Sequence, residues 1–209
     1  MRQALLNGNG IRSATGRAMP LIAALFALAS CATPFDMSAE RVALPGPEWG
    51  VVIGSVLVQP ETDSLSKNAT GRDASRVFYE FDIVQIQPAD PDGTGPYAQR
   101  YRLDAKAGEE RIFISRMRPG QYLIREFHEE GVVGLGGKLD VVFAVTPGEI
   151  RYIGRRRVEI PRRVSSGKAY RFAVENAREA TLAQVSKQHA KLTRAAVDGP
   201  MQARLRAAP

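Results

Sequence analysis

Arg111-Ile-Phe-Ile-Ser-Arg-Met-Arg-Pro-Gly-Gln-Tyr-Leu-Ile-Arg125 is the stretch on which the fold class turns. Its two halves are short and rich in β-formers. Arg118-Pro119-Gly120 between them is turn chemistry, because proline presets φ and glycine accepts positive φ. The spacing predicts strands over Arg111 to Ser115 and Gln121 to Phe127, closed as a hairpin. The same arrangement recurs downstream. Leu139, Val141, Phe143 and Val145 alternate through Lys138 to Thr146, and Pro147-Gly148 then turns into Glu149 to Ile160, predicting a second hairpin. Upstream, Val51 to Val58 reads as one strand. Arg76 to Gln87 reads as another, with Val77, Tyr79, Phe81 and Ile83 on one face and Glu80 and Asp82 on the other. Tyr97 to Leu103 and Ala169 to Val174 complete the series.

About seven to eight short strands with few helical stretches predict a mainly β protein, an antiparallel β-sandwich carrying one C-terminal α-helix. Phe81, Tyr122 and Phe143 lie on alternating apolar faces and are expected in its core. The helix is expected over Ala177 to about Leu192: Asn176 can accept from an amide two or three residues on, and Glu179 suits the positive end of the dipole. The stripe of Ala177, Thr181, Val185 and Leu192 is thin, so the helix should lie on the sandwich and not inside it. The resulting division is 1–30 signal peptide, 31–49 tether, 50–175 β-sandwich domain, 176–195 helix and 196–209 mobile tail. The tether is read from Pro34, Pro45 and Pro47 and the lack of periodicity, and no internal fold is expected there.

The strand, Pro-Gly turn and Tyr-bearing strand of 111–125 resemble those of prealbumin-like domains, the sandwich of carboxypeptidase regulatory modules. Val145-Thr-Pro-Gly-Glu-Ile-Arg-Tyr-Ile-Gly-Arg155 resembles a stretch in small bacterial lipoproteins of that type. The resemblance spans roughly residues 50 to 175. It implies an accessory or binding module without catalytic residues to carry over.

The amino-terminal segment carries the address. Arg2, Arg12 and Arg17 precede Cys31 and no acid does, while Leu21-Ile-Ala-Ala-Leu-Phe-Ala-Leu28 is apolar throughout. That is the order of a secretory signal. A helix of eight to eleven apolar residues rises only about 12 to 16 Å, roughly half the hydrocarbon thickness, so it cannot serve as a permanent span. Leu28-Ala29-Ser30-Cys31 resembles the lipobox of bacterial lipoproteins. The resemblance implies cleavage before Cys31, lipid on its thiol and three acyl chains on the mature protein. Ala32 in the next position implies the outer membrane, facing the periplasm. As the single cysteine of the chain, Cys31 cannot form an internal disulfide, which fits lipidation.

Without the segment before Cys31 the chain has 26 basic and 22 acidic side chains, a net charge of +4, which is not the balance of a nucleic-acid binder. The strongest charge feature is Arg151, Arg155, Arg157, Arg162 and Arg163. Alternation sends Arg151, Arg155 and Arg157 out from one strand face and Arg156 inward, from where it must reach solvent at an edge. As an anion-binding ribbon it would meet lipid headgroups, lipopolysaccharide or peptidoglycan stems. As a plain solvated strand it would discourage aggregation. Glu126-Phe-His-Glu-Glu130 surrounds His128 with carboxylates, but two histidines in all are few for a transition-metal site, and a strand-end acidic loop is expected. Gly131-Val-Val-Gly-Leu-Gly-Gly137 precedes a strand, not the helix that phosphate cradling needs, so it reads as a flexible connection. No Gly-x-Ser-x-Gly, His-Glu-x-x-His or paired-cysteine motif is present. The expectation is a membrane-anchored structural or interaction module of the cell envelope, not an enzyme, with no cofactor, no metal and no nucleic acid. Its partners would be the membrane, through lipid, and anionic envelope polymers or an envelope protein. A periplasmic ligand- or metal-binding lipoprotein is the second reading and an envelope hydrolase the third. The second needs a pocket with convergent polar groups. The third needs a nucleophile within reach of His128 or His189.

Overall fold

A computed structural model describes residues 35–37, 44–60, 77–88, 99–131, 136–160 and 170–204. The chain divides into two units, 1–31 and 32–209, and all the described residues belong to the second. The elements are β1 (Phe35–Asp36), β2 (Gly50–Pro60), β3 (Phe78–Gln87), β4 (Arg100–Lys106), β5 (Glu110–Met117), β6 (Gly120–Glu129), β7 (Gly136–Val145), β8 (Ile150–Ile160), β9 (Arg171–Glu175), α1 (Arg178–Arg194), β10 (Ala196–Asp198) and β11 (Gln202–Ala203). Eight of these strands were legible as periodic runs. β1, β10 and β11 raise the number above the expected seven or eight, and they are too short for periodicity to reveal.

The first sheet has the order β1-β4-β3-β6-β7-β11. The second has the order β10-β8-β2-β5, with β9 also paired to β8. Pairing is mostly antiparallel. The antiparallel expectation fails where β2 runs parallel to β8, β1 to β4 and β10 to β8. Parallel neighbours need a crossover, and here much of the first sheet forms the connection between β2 and β8. Side chains of both sheets meet in one buried cluster, with Phe81, Tyr122 and Phe143 from the first and Val56, Phe113 and Val158 from the second. The other face of the second sheet is buried as well: Val51, Ile53, Ile150 and Tyr152 pack against Leu182, Val185 and Leu192 of α1. That double burial is why Val51–Val58 reads as a continuous apolar run and not as a strict alternation.

Neither Pro-Gly turn closes a hairpin. β5 pairs with β2 in the second sheet, while β6 pairs with β3 and β7 in the first; likewise β7 belongs to the first sheet and β8 to the second. Each turn therefore carries the chain from one sheet to the other. Both geometries keep the apolar faces of the two strands on one core, so alternation cannot distinguish them. The two glycines also differ. Gly148 (φ +73°) has open space where a Cβ would stand, whereas at Gly120 (φ +149°) a Cβ would lie 2.2 Å from the Gln87 carbonyl oxygen. Gln85 Nε2 donates to that same oxygen at 3.0 Å and to Pro119 O at 3.3 Å, fastening the first turn to β3.

Three further expectations are corrected. The reading of 31–49 as a tether without internal fold fails at 35–37, where β1 pairs with β4 and the buried Met37 donates its amide to Arg102 O at 2.9 Å. The mobile tail of 196–209 instead carries β10 and β11, with Met201 buried between them; residues 205–209 lie outside the described residues. The helix begins at Arg178 with Ala177 as its cap residue, one position late. Asn176 Oδ1 nonetheless accepts from the Arg178 amide at 3.2 Å. Leu182 joins Thr181, Val185 and Leu192 on the buried stripe, and the helical geometry breaks at His189.

Candidate functional site

The basic strand β8 is the natural centre of a site, and its backbone divides it. Ile53 pairs with Tyr152 but Gly54 pairs with Gly154, so β8 holds one residue more than β2 at this point, and Gly154 takes φ +99°. Such a bulge inverts the alternation beyond it. Ile150 and Tyr152 accordingly face α1, while Ile153 and Val158 face the inter-sheet core. Arg151 therefore lies on the opposite face from Arg155 and Arg157, and the single ribbon expected from unbroken alternation is split.

Each of the three has a carboxylate partner. Arg151 Nε meets Glu149 Oε2 at 2.7 Å. Arg155 bonds Glu175 Oε2 through Nη2 at 2.7 Å and stands 3.6 Å from Glu110 Oε2, which brings β9, β8 and β5 together. Arg157 reaches Glu159 at 2.8 Å and Glu175 at 3.4 Å. Ser55 adds a 2.6 Å bond to Glu110. The hydrogen bond that Arg155 donates to Glu175 holds its guanidinium above its ordinary value, outweighing partial burial. Half-exposed pairs of this kind are worth about 0–1 kcal/mol each, so their effect is chiefly to neutralise the strand and fix β9 onto β8. Arg162 and Arg163 lie outside the described residues, as does Cys31.

Arg156 is the exception. It was expected to reach solvent at an edge; instead it is 0% exposed, because β8 is flanked by β2 on one side and β9 on the other. None of its three guanidinium nitrogens has a hydrogen-bond partner among the described residues. The Phe172 ring lies 4.2 Å away, a contact worth about 2 kcal/mol when desolvated. That offsets only part of the several kcal/mol that burial of an unpaired charge costs. Burial pushes the Arg156 guanidinium down to about 9, with the neighbouring Tyr170 phenol opposing.

A volume-conserving Arg156→Met should therefore stabilise the protein, by about 1–4 kcal/mol at neutral pH. The native group binds its proton less tightly than the unfolded one. Raising the pH above about 9 empties the native site first, so the penalty shrinks and the gap between variant and wild type should narrow. Urea melts of both proteins at pH 7 and pH 10 measure this; a destabilised variant at pH 7 would show that Arg156 has a partner to lose.

The acidic segment expected as a strand-end loop is strand β6 itself as far as Glu129, and it does not assemble around its histidine. His128 Nε2 stands 3.6 Å from Glu80 Oε1 on the neighbouring β3, while Glu126 pairs with Arg125 at 3.3 Å. Glu129 turns inward to within 3.5 Å of the Tyr79 hydroxyl, whose pKa is pushed up, first by burial and then by that carboxylate. Among the described residues no group of three or more His, Cys, Asp or Glu side chains is placed to hold a metal ion. The glycine-rich stretch does lead into strand β7, though 132–135 lie outside the described residues.

A constellation not read from sequence lies at the opposite end of the strands. The guanidinium carbons of Arg116 and Arg118 stand 4.6 and 5.6 Å from the centroid of the Trp49 ring. Trp49 immediately precedes β2, and Arg116 is opposite Val51 in the β2–β5 pair, so non-local pairing brings them together. The one usable signal was the chain's single tryptophan beside a predicted strand start.

No family model matches the chain, and no curated protein sequence matches it. Among solved structures, a leucine-rich repeat protein from Bacteroides thetaiotaomicron is similar over 59% of this chain and 15% of its own, at 9% identity and a TM-score of 0.33. The chain thus spans about a seventh of that protein. The T6SS lipoprotein TssJ1 from Pseudomonas aeruginosa is similar over 64% of this chain and 98% of its own, at 12% identity and a TM-score of 0.29. Superpositions this loose assign neither a family nor an activity.

Proposed function

We propose that the protein is a lipid-anchored module of the bacterial cell envelope, a prealbumin-like β-sandwich with a structural or interaction role and no catalysis of its own. The observation that carries this reading is the run Leu21–Leu28 followed by Ala29-Ser30-Cys31, an apolar segment too short to span and ending in the chain's single thiol. Two features support it. Among the described residues no helix is long and apolar enough to cross a membrane, so attachment would fall to the cysteine. Arg155 and Arg157 of β8 are matched by Glu175 of the neighbouring β9, as suits a scaffold better than a reactive centre. The outer membrane, facing the periplasm, is the location that Ala32 favours.

Mass analysis of the mature amino-terminal peptide tests this directly. The expected product begins at Cys31 and carries acyl chains on its thiol and its amino group. A mature terminus at another residue, with a free thiol or none, overturns the reading.

A further inference from the structure

The tether between lipid and domain is much shorter than proline spacing implies. Three residues separate Cys31 from Phe35, and four residue steps span at most about 14 Å. Phe35 is the first residue of β1 and stands opposite Tyr101, so the chain joins the β-structure at the Arg100 end of β4. That end can be followed across both sheets. Arg100 is opposite Val84, Gln87 opposite Gln121, and Gly120 opposite Val145. The turns at Pro119-Gly120 and Pro147-Gly148 then lead over to Met117, opposite Gly50, and to Ile150, opposite Val51. Trp49, Arg116 and Arg118 therefore occupy the same end of the molecule as the point where the lipid-bearing chain enters.

The chemistry of this end suits a bilayer surface. Arg116 and Arg118 are exposed and flank a half-buried indole; among the described residues neither they nor the exposed Arg100 is ion-paired with a carboxylate. The one nearby acid in the turn before β2, Glu48, leaves the set net positive. Leu44, 57% exposed, precedes the same turn. Indole rings settle at headgroup depth, guanidinium forks bind phosphate bidentately, and an anchor already in the bilayer makes such contacts effectively intramolecular.

We propose that Trp49, Arg116 and Arg118 rest on the phosphate-bearing headgroups of the bilayer that holds the Cys31 lipid, so that the module sits against the membrane in one orientation. This rests on the lipid-anchor reading above. Each cation near an anionic surface contributes about a fivefold factor, so the arginine pair contributes about 25-fold to the ratio of docked to undocked protein.

Trp49 is the only tryptophan in the chain and reports on itself. The test uses the lipidated full chain in vesicles whose acyl chains are brominated just below the headgroup, made of phosphatidylcholine alone or mixed with phosphatidylglycerol. Flotation with the vesicles is measured beside the quenching of Trp49 emission. The expected result is flotation on both vesicles, with quenching on the phosphatidylglycerol mixture that falls in high salt. Arg116→Gln with Arg118→Gln should abolish the quenching while flotation stays intact. Flotation with no quenching on either vesicle, or quenching that the double substitution leaves unchanged, overturns the docking and spares the anchor. Absence of flotation overturns the anchor and the docking with it.

Discussion

Cys31→Ser is expected to move the protein from the membrane pellet to the soluble fraction under a high-salt wash. Burial of acyl chain contributes about 0.8 kcal/mol per methylene, so the three chains proposed on Cys31 would hold far more firmly than any protein surface here could. The two arginines proposed to dock would contribute about 1 kcal/mol each near an anionic bilayer, and salt at 1 M shortens the Debye length to about 3 Å and removes most of that. Without the thiol, no lipid is added. The remaining apolar stretch, Leu21–Leu28, would as a helix rise through only about half the hydrocarbon thickness. Fractionation of wild type and variant decides it: membrane retention of Cys31→Ser through the salt wash would mean that attachment lies elsewhere in the chain.

Tyr122→Ala should be the most damaging single substitution in the core. Tyr122 is 0% exposed, stacked on Phe143 with centroids 5.5 Å apart and set edge-on to Tyr101 at 5.7 Å. Its hydroxyl donates to Arg118 O at 2.9 Å, just before the turn into β6, and burial raises the pKa of that hydroxyl. Truncation removes a large ring from a packed interior and leaves a carbonyl unsatisfied, for a loss of about 3–5 kcal/mol. In a domain of this size that lowers the melting temperature by roughly 10 °C. Tyr122→Phe, which deletes only the hydrogen bond, should cost about 1 kcal/mol, and Phe78→Ala, at a residue 42% exposed, should cost less still. Thermal melts of the three variants would rank them; equal losses for Tyr122→Ala and Phe78→Ala would show the core misplaced.

The sequence disclosed the strands better than their partners. Period-two alternation is a local property, so β3, β7 and the helix stripe at Thr181, Val185 and Leu192 could be read directly. What joins Arg118-Pro119-Gly120 to its surroundings is not local. At the same Pro-Gly pair in 147–148 a Cβ on the glycine would meet nothing, while Gly120 lies against the Gln87 carbonyl of a strand more than thirty positions earlier. Two turns with one local chemistry were thus read as hairpins when both cross between sheets. The bulge at Gly154 is a similar case: glycine marks where a strand can take positive φ, but only pairing with β2 shows that a residue has been added and Arg151 turned away from Arg155. Arg156 was assigned to the inward face correctly. Its complete enclosure depended on β9 flanking β8, a long-range contact that no spacing in 150–160 encodes.

The short strands after the helix bear on how the molecule is made. β10 borders β8 in one sheet, β11 borders β7 in the other, and Met201 between them is 4% exposed. A polypeptide emerging amino-end first presents β1 through β9 with both of these rims vacant and the Met201 site in the core unfilled. Neither sheet acquires its outermost neighbour until residues 196–203 arrive. A product cut at residue 195 would display two unpaired strand margins at once, the kind of surface that proteases and aggregation select. A chain cut there should therefore melt lower and be digested faster than one that carries 196–203.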